Sequence, residues 1–163
     1  MKPIHNNRSR PRHQGFSLIE VMVALLVLSI GLLGLAALQT TSLQFNTGSY
    51  YRTQATFLAY DILDRMRANS IGVKAGSYNA TTSAAAAAAK ADTTACSTGC
   101  NTTDLAKYDL GEWYRRMEIM LPGSTLPTNN YALISRDAAN VVTITINWVE
   151  KDLTMRQIWV VQL

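Results

Sequence analysis

Histidine is almost missing from this sequence of 163 residues, and the two that occur, His5 and His13, lie close to the N-terminus. Histidine is the most frequent general acid or base of enzymes and a common zinc ligand. The chain also has only two cysteines, too few to complete a zinc site without histidine. We therefore expect a protein that is not an enzyme, with no catalytic residue, no metal site and no cofactor.

Acidic residues are missing from the first fifteen positions, where Lys2, Arg8, Arg10 and Arg12 lie. The whole chain has 15 Lys and Arg against 11 Asp and Glu, a formal net charge of +4. Apart from those four, the basic residues number 11 and balance the 11 acids. The excess positive charge therefore belongs to the N-terminal segment, and no basic patch remains for nucleic acid. We expect no nucleic-acid partner.

Charge is also missing from a long apolar run. From Val21 to Leu38 every residue is apolar or small, apart from Ser29. As a helix, Leu18 to Leu38 would rise about 31 Å, close to the hydrocarbon thickness of a bilayer. Three interpretations fit such a run: a secretory signal cut near Ala36, an uncut membrane anchor, or a leader cut ahead of the apolar segment.

Glu20 distinguishes these interpretations, because an acid in a membrane segment is costly and neither a signal nor a plain anchor needs one. The sequence around it, GFSLIEVMVALLVLS, resembles the N-termini of type IV pilins and pseudopilins. This resemblance implies that a prepilin peptidase removes residues 1–15 as a cytoplasmic leader by cutting after Gly15. It also implies N-methylation of Phe16 and a role in subunit assembly for Glu20, the acid at the fifth position of the mature chain.

The chemistry of Glu20 agrees with this role. Cleavage after Gly15 creates a positive amine on Phe16, and residues four apart share a helix face. Glu20 can therefore lie near its own terminus or near that of a neighbouring subunit. In a low-dielectric environment an opposite charge offsets much of the cost of desolvation. We expect residues 16–39 to form a transmembrane helix that becomes part of a fibre core.

The helix is predicted to continue through residues 40–69 as a spine, because no proline occurs there. One apolar stripe with helical spacing follows this segment; it comprises Tyr51, Ala55, Leu58, Ile62 and Met66. This stripe predicts a helix face packed against a globular head. The head would span residues 40–163.

Residues 70–102 are predicted to be a variable loop, since Gly, Ser, Thr and Asn are frequent at its start. The alanine-rich stretch at residues 83–94 favours a helix, but so short a run is marginal in water, and we expect a low-complexity insertion in a surface loop. Cys96 and Cys100 follow. Their spacing fits a small structural disulfide if the head is exported, because that compartment is oxidising.

A helix is predicted at residues 103–121, with Thr103 or Asp104 as its cap and Pro122-Gly123 as its end. Its apolar face would comprise Leu110, Trp113, Met117 and Met120. Strand-like patterns follow within residues 131–163. The first is YALIS at residues 131–135, and residues 141–149 alternate with period two. A turn is expected at Glu150-Lys151-Asp152, and residues 154–163 complete a third strand. Trp113, Trp148 and Trp159 are expected in the core.

These elements predict an α+β fold of the type IV pilin kind, in which a long N-terminal helix packs on a small antiparallel sheet. The segments VLSIGLLGLAALQ, DLGEWYRRMEIMLPGS and TITINWVEKD further resemble minor pilins called type IV pilus modification protein PilV. Here the matching residues are Leu33 to Gln39, Trp113 with Leu121-Pro122, and Trp148.

The resemblance to PilV implies a low-abundance pilin that helps to initiate pilus assembly and affects adhesion. Its implied partners are other minor pilins, the major pilin, the prepilin peptidase and the inner-membrane assembly platform. The implied location is the inner membrane, crossed once with the N-terminus cytoplasmic and the head periplasmic, and afterwards the extracellular pilus. The alternative is a minor pseudopilin of a type II secretion system, whose N-terminus is similar.

Overall fold

The computed structural model describes residues 15–92, 96, 99–123 and 132–163. The predicted leader, apart from Gly15, therefore lies outside the described residues. The chain forms an α+β fold in which a long N-terminal helix packs with a three-stranded antiparallel sheet, which confirms the predicted fold class. The elements in chain order are α1 (Leu18–Ala68), α2 (Ser70–Lys74), α3 (Ser83–Ala91), α4 (Thr102–Met120), β1 (Ala132–Arg136), β2 (Val141–Glu150) and β3 (Leu153–Gln162).

The chain divides into two compact units, one that ends at Gln44 and a second, the head, that comprises Phe45–Leu163. Helix α1 runs for 51 residues and contributes to both units. Its length follows from the sequence, because no proline interrupts it and its two glycines in the apolar run, Gly31 and Gly34, cost only about 1 kcal/mol each relative to alanine.

Within the head, one face of α1 enters the hydrophobic core. The predicted stripe is confirmed, since four of its members are buried and Tyr51 packs against them in part. The pattern also omitted two buried residues, Ala59 and Leu63. The buried face therefore comprises Ala55, Leu58, Ala59, Ile62, Leu63 and Met66.

Two adjacent aromatic residues of helix α4 connect it to α1 and to the sheet. The indole of Trp113 is fully buried and donates a hydrogen bond to the carbonyl oxygen of Leu58 at 2.8 Å. The hydroxyl of the adjacent Tyr114 donates to the carbonyl oxygen of Ala132 at 3.0 Å. A buried Trp or Tyr needs such a partner for its polar atom, so these two bonds fix the position of α4 relative to α1 and β1.

The sheet has the order β1-β2-β3, and both pairs are antiparallel. The predicted alternation of β2 is confirmed, because its inward-facing residues are at most 2% exposed; they are Val142, Ile144, Ile146 and Trp148. Lys151 and Asp152 connect β2 to β3 with positive φ angles of 49° and 66°. Two such residues in a row are typical of a type I′ turn, whose twist matches that of the strands.

The prediction of a loop for residues 70–102 was wrong in two places, at α2 and at α3. Helix α3 contains the six consecutive alanines, and the side chain of Thr82 caps it by accepting a hydrogen bond from the backbone of Ala85 at 3.2 Å. Ala86 is fully buried. A cap and a packed face therefore stabilise a helix that would be too short to persist alone.

Smaller differences concern α4 and the last strand. Asn101 caps α4, rather than Thr103 or Asp104, because its side chain accepts hydrogen bonds from both of their backbone amides, at 3.0 and 2.9 Å. Met120 was wrongly placed on the buried face, since it is 40% exposed. Trp159 is only half-buried, against the edge of the core.

The packing of α3 leads to a prediction about its alanines. Ala86→Leu adds three carbons at a fully buried position, and overpacking of this kind costs about 1–3 kcal/mol. Ala88→Leu is the matched control, because Ala88 lies on the exposed side of the same helix. Urea unfolding of the whole chain in detergent micelles should show a lower midpoint for Ala86→Leu only. Equal midpoints for the two variants would contradict the packing of α3.

Candidate functional site

The first unit contains a long apolar surface that nothing in the described chain covers. Every large apolar side chain from Leu18 to Leu43 is exposed, from 48% for Val21 to 81% for Leu18. By length and composition, α1 is able to cross a membrane. Apolar surface of this extent is rarely left in water. It indicates that lipid or other protein chains surround this part of α1.

Three hydroxyl side chains of this segment donate hydrogen bonds within the helix. The hydroxyl of Ser29 donates to the carbonyl oxygen of Leu25 at 2.7 Å, and the hydroxyls of Thr40 and Thr41 donate to that of Ala37 at 2.8 and 3.1 Å. These bonds remove the need for water around the hydroxyl groups. Glu20 is different, because it is the only ionisable side chain between residues 16 and 44.

Glu20 lies in the first turn of α1, where its backbone amide donates to the carbonyl oxygen of Ser17 at 3.0 Å. An acid in this position interacts favourably with the positive end of the helix dipole. The side chain is exposed, and among the residues that the structure describes none forms an ion pair with it. The carboxylate is therefore available to a partner outside this set.

Gly15 and Phe16 lie just before the helix, and both are exposed. Phe16 is 84% exposed. Since α1 begins at Leu18, the structure does not place Phe16 on the same helix face as Glu20. A peptide bond in an exposed, non-helical segment is of the kind that peptidases reach most easily. The three predicted residues thus lie together at the end of the apolar helix, which has an accessible bond followed by a single acid.

Comparison with known protein families gives two matches, one at the N-terminus and one in the following part of the chain. Residues 10–36 match the prokaryotic N-terminal methylation motif. Residues 37–111 match the family of type IV pilin Tt1218. Over residues 10–111 the chain is therefore similar to type IV pilins. No curated protein and no solved structure matches it.

The two matches adjoin each other and cover the apolar helix, the spine, α2, α3 and half of α4. Type IV pilins are structural rather than enzymatic proteins. The methylation motif and the apolar helix of this pilin-like chain fit anchoring in the inner membrane and incorporation into a pilus. They also imply processing by a prepilin peptidase and assembly with other pilins.

Among the described residues of the head, one acid is buried, Asp109, which the sequence analysis did not identify. It is 5% exposed, and two side chains, those of Arg65 and Tyr78, satisfy it. The guanidinium of Arg65 at the end of α1 lies 3.0 Å from one carboxylate oxygen, and the hydroxyl of Tyr78 donates to the other at 2.6 Å. Asn69 in turn donates to the hydroxyl oxygen of Tyr78 at 3.2 Å and to the carbonyl oxygen of Thr102 at 2.6 Å.

This Asp109 cluster, comprising Arg65, Asn69, Tyr78 and Asp109, is structural because its charge is compensated and its donors are used. Burial lowers the pKa of Arg65, but its hydrogen bonds and ion pairs with Asp109 and Asp61 outweigh burial and raise it overall. Among the described residues, no three His, Cys, Asp or Glu side chains lie close enough to hold a metal ion. Asp109 follows the spacing of the polar residues of α4, so the sequence does not indicate that it is buried.

The structure pairs Cys96 and Cys100 as a disulfide with Cα atoms 5.2 Å apart. This distance is within the range of 4.4–6.8 Å usual for disulfides. The pair lies immediately before α4, and its small ring precedes the Asn101 cap. Formation of this bond in the cell remains a prediction that depends on export of the head.

The Asp109 cluster leads to a prediction about alkaline pH. Burial, followed by the hydrogen bond to Asp109, raises the pKa of Tyr78 above its ordinary value of about 10. The folded state therefore keeps this proton to a higher pH than the unfolded state does. The resulting stability is complete below pH ~10 and is lost as the pH rises further.

Tyr78→Phe tests this prediction. At pH 7 the variant should be less stable by about 1–3 kcal/mol, because one oxygen of the buried Asp109 loses its donor. The gap between variant and parent should narrow as the pH rises from 10 to 11, which denaturant titrations at several pH values measure. A gap that stays constant from pH 7 to 11 would contradict the assignment.

Proposed function

We propose that this chain is a minor pilin of the type IV pilus that takes part in the initiation of pilus assembly. The observation that carries the proposal is an exposed apolar helix with one carboxylate in its first turn, directly after the Gly15-Phe16 bond. Resemblance to the pilus modification protein PilV supports the minor role, through Leu33 to Gln39, Trp113 with Leu121-Pro122, and Trp148.

In this proposal, the prepilin peptidase cuts between Gly15 and Phe16 and methylates the new amine of Phe16. The basic residues ahead of the cut keep that end on the cytoplasmic side, as positive charge next to a membrane helix does. Residues 40–163, which comprise the head and the five residues before it, then lie in the periplasm, where the disulfide of Cys96 and Cys100 is stable. Incorporation into the fibre carries the head to the cell exterior, where it affects adhesion.

In this proposal Glu20 determines the register in which neighbouring subunits align their helices. A carboxylate in a low-dielectric environment is stabilised only by an opposite charge or by hydrogen bonds. The methylated amine of Phe16 in a neighbouring subunit is such a charge. When helices stack with the correct stagger, amine and carboxylate meet; in any other register both remain unpaired. Other minor pilins, the major pilin and the assembly platform of the inner membrane are the proposed partners.

Processing gives the first test of this function. Protein purified from membranes should begin at Phe16 with a methyl group on its amine, which intact-mass and N-terminal peptide mass spectrometry detect. Gly15→Leu should leave the uncut chain, since a bulky side chain then adjoins the scissile bond. Gly31→Leu is the matched control, because Gly31 has open space around it and lies far from the cut. A mature terminus near Ala36 would instead indicate an ordinary signal peptide.

The second test concerns Glu20. Glu20→Val leaves the apolar anchor intact and the cleavage site unchanged, so processing should persist. Incorporation should fail, because the amine of the neighbouring subunit loses its partner, and an uncompensated buried charge costs about 3–5 kcal/mol. Sheared pili and membranes should be separated and compared by immunoblotting, with the variant expected in the membrane fraction only.

Ser29→Val is the control for this test. It also replaces a polar residue of the same helix by valine, but the hydroxyl of Ser29 bonds only within its own helix. We expect this variant to enter pili at the level of the parent chain. Entry of Glu20→Val at the parent level would exclude the role in register. Fractionation of the parent chain with a secretion complex rather than with pili would favour the pseudopilin alternative.

A further inference from the structure

The two edge strands of the sheet, β1 and β3, differ in whether another segment of the chain pairs with them. At the edge formed by β1, the backbone of Ile134 exchanges two hydrogen bonds with Ala80, at 2.8 and 3.0 Å, so the edge is partly covered. At the edge formed by β3, no such partner occurs in the described ranges of the chain. An uncovered edge strand of ten residues is long for a globular protein and is a template for another strand.

The register identifies which residues of β3 face outward. The backbone amide of Leu163 donates to the carbonyl oxygen of Asn140, in line with the pairing of β2 and β3. In an antiparallel pair, alternate residues exchange both backbone bonds with the same neighbour. Odd-numbered residues of β3 therefore bond to β2, and even-numbered ones direct their amide and carbonyl groups outward. These outward-facing residues are Thr154, Arg156, Ile158, Val160 and Gln162.

All five outward-facing residues have exposed side chains. Ile158 and Val160 are 53% and 64% exposed and are β-branched, which suits a paired strand. Only Arg156 is charged, and its guanidinium is held by the side-chain oxygen of Asn147 at 3.1 Å. The edge therefore lacks the proline, inward-pointing charge or bulge with which proteins usually prevent edge pairing.

We propose that β3 pairs with β3 of a second copy of this chain, antiparallel and centred on Ile158. In this register Ile158 lies opposite Ile158, Arg156 opposite Val160, and Thr154 opposite Gln162. All outward-facing residues then pair with one another. A shift by two residues leaves one of them unpaired on each copy. A shift by four in one direction places Arg156 opposite Arg156, and like charges in this position are destabilising.

Charge and hydrogen bonding thus favour one occupant and one register. A second copy matches the edge along its whole length without opposing its only cation to itself. The pairing requires only that two copies share a membrane, so it does not depend on the proposed role in pili. It would join two three-stranded sheets into one continuous sheet.

Cysteine cross-linking of the full chain in its membrane tests the register. Ile158→Cys should yield a disulfide-linked dimer on oxidation, since paired residues have Cα atoms about 5.5 Å apart. Thr154→Cys is the control on the same strand, because two copies of residue 154 would lie eight residues apart, about 27 Å. Chains with Thr154→Cys and Gln162→Cys, expressed together with different tags, should cross-link to each other. The parent chain measures any background from Cys96 and Cys100.

Like and opposite charges at position 158 test whether the contact between the two Ile158 side chains is needed for the pairing. Adding Ile158→Lys to both tagged chains should reduce the cross-link of residues 154 and 162 at least tenfold, and so should Ile158→Glu. When one tagged chain carries Ile158→Lys and the other carries Ile158→Glu, the cross-link should be restored. Both substitutions are at an exposed side chain, and equal melting curves in detergent would show that the head stays folded.

A third variant examines the backbone. Ile158→Pro removes an outward-facing amide but none that bonds to β2, so it should weaken the cross-link at least tenfold, whereas Ile158→Thr should retain it. Equal cross-linking of Thr154→Cys and Ile158→Cys, or a dimer that Ile158→Lys leaves unchanged, would overturn the proposal. So would cross-linking of Ile158→Cys to a different protein and not to itself.

Discussion

The apolar surface of α1 from Leu18 to Leu43 is the constraint on which the rest of this structure depends. It has no cover in the described chain, so it requires either lipid or neighbouring subunits. Most residues of this surface are apolar, the hydroxyls of Ser29, Thr40 and Thr41 bond within the helix, and Glu20 is the only ionisable side chain. In the proposed assembly this carboxylate makes the two surroundings unequal, because the fibre would offer it an amine and the hydrocarbon of a membrane would not.

The head fulfils a different requirement, which is to hold the second half of the same helix in a folded domain. Trp113 and Tyr114 connect α4 to α1 and to β1 through buried hydrogen bonds. The Asp109 cluster fixes the end of α1 to the segment around Tyr78. These contacts make the second half of α1 part of the head core.

Periodicity and a family resemblance sufficed to predict much of this. The long helix, the stripe from Ala55 to Met66, the alternation of β2 and the fold class are all confirmed, because each depends on a regular pattern of burial. Helix α3 was missed since its stability comes from the Thr82 cap and from burial of Ala86, which alanine composition does not reveal. Asp109 was missed because a satisfied buried acid has the same sequence pattern as a solvated one. The edge of β3 could not be identified before the strand order was known.

The central claim is that Glu20 meets the N-terminal amine of another subunit. Cross-linking of sheared pili with a carbodiimide, which joins a carboxylate to an amine without a spacer, tests this contact directly. Subunits with heavy and light isotope labels distinguish links between chains from links within one chain. The account predicts a peptide in which Glu20 is joined to the N-terminal residue of a neighbouring subunit. Glu20 joined only to Phe16 of its own chain would contradict it.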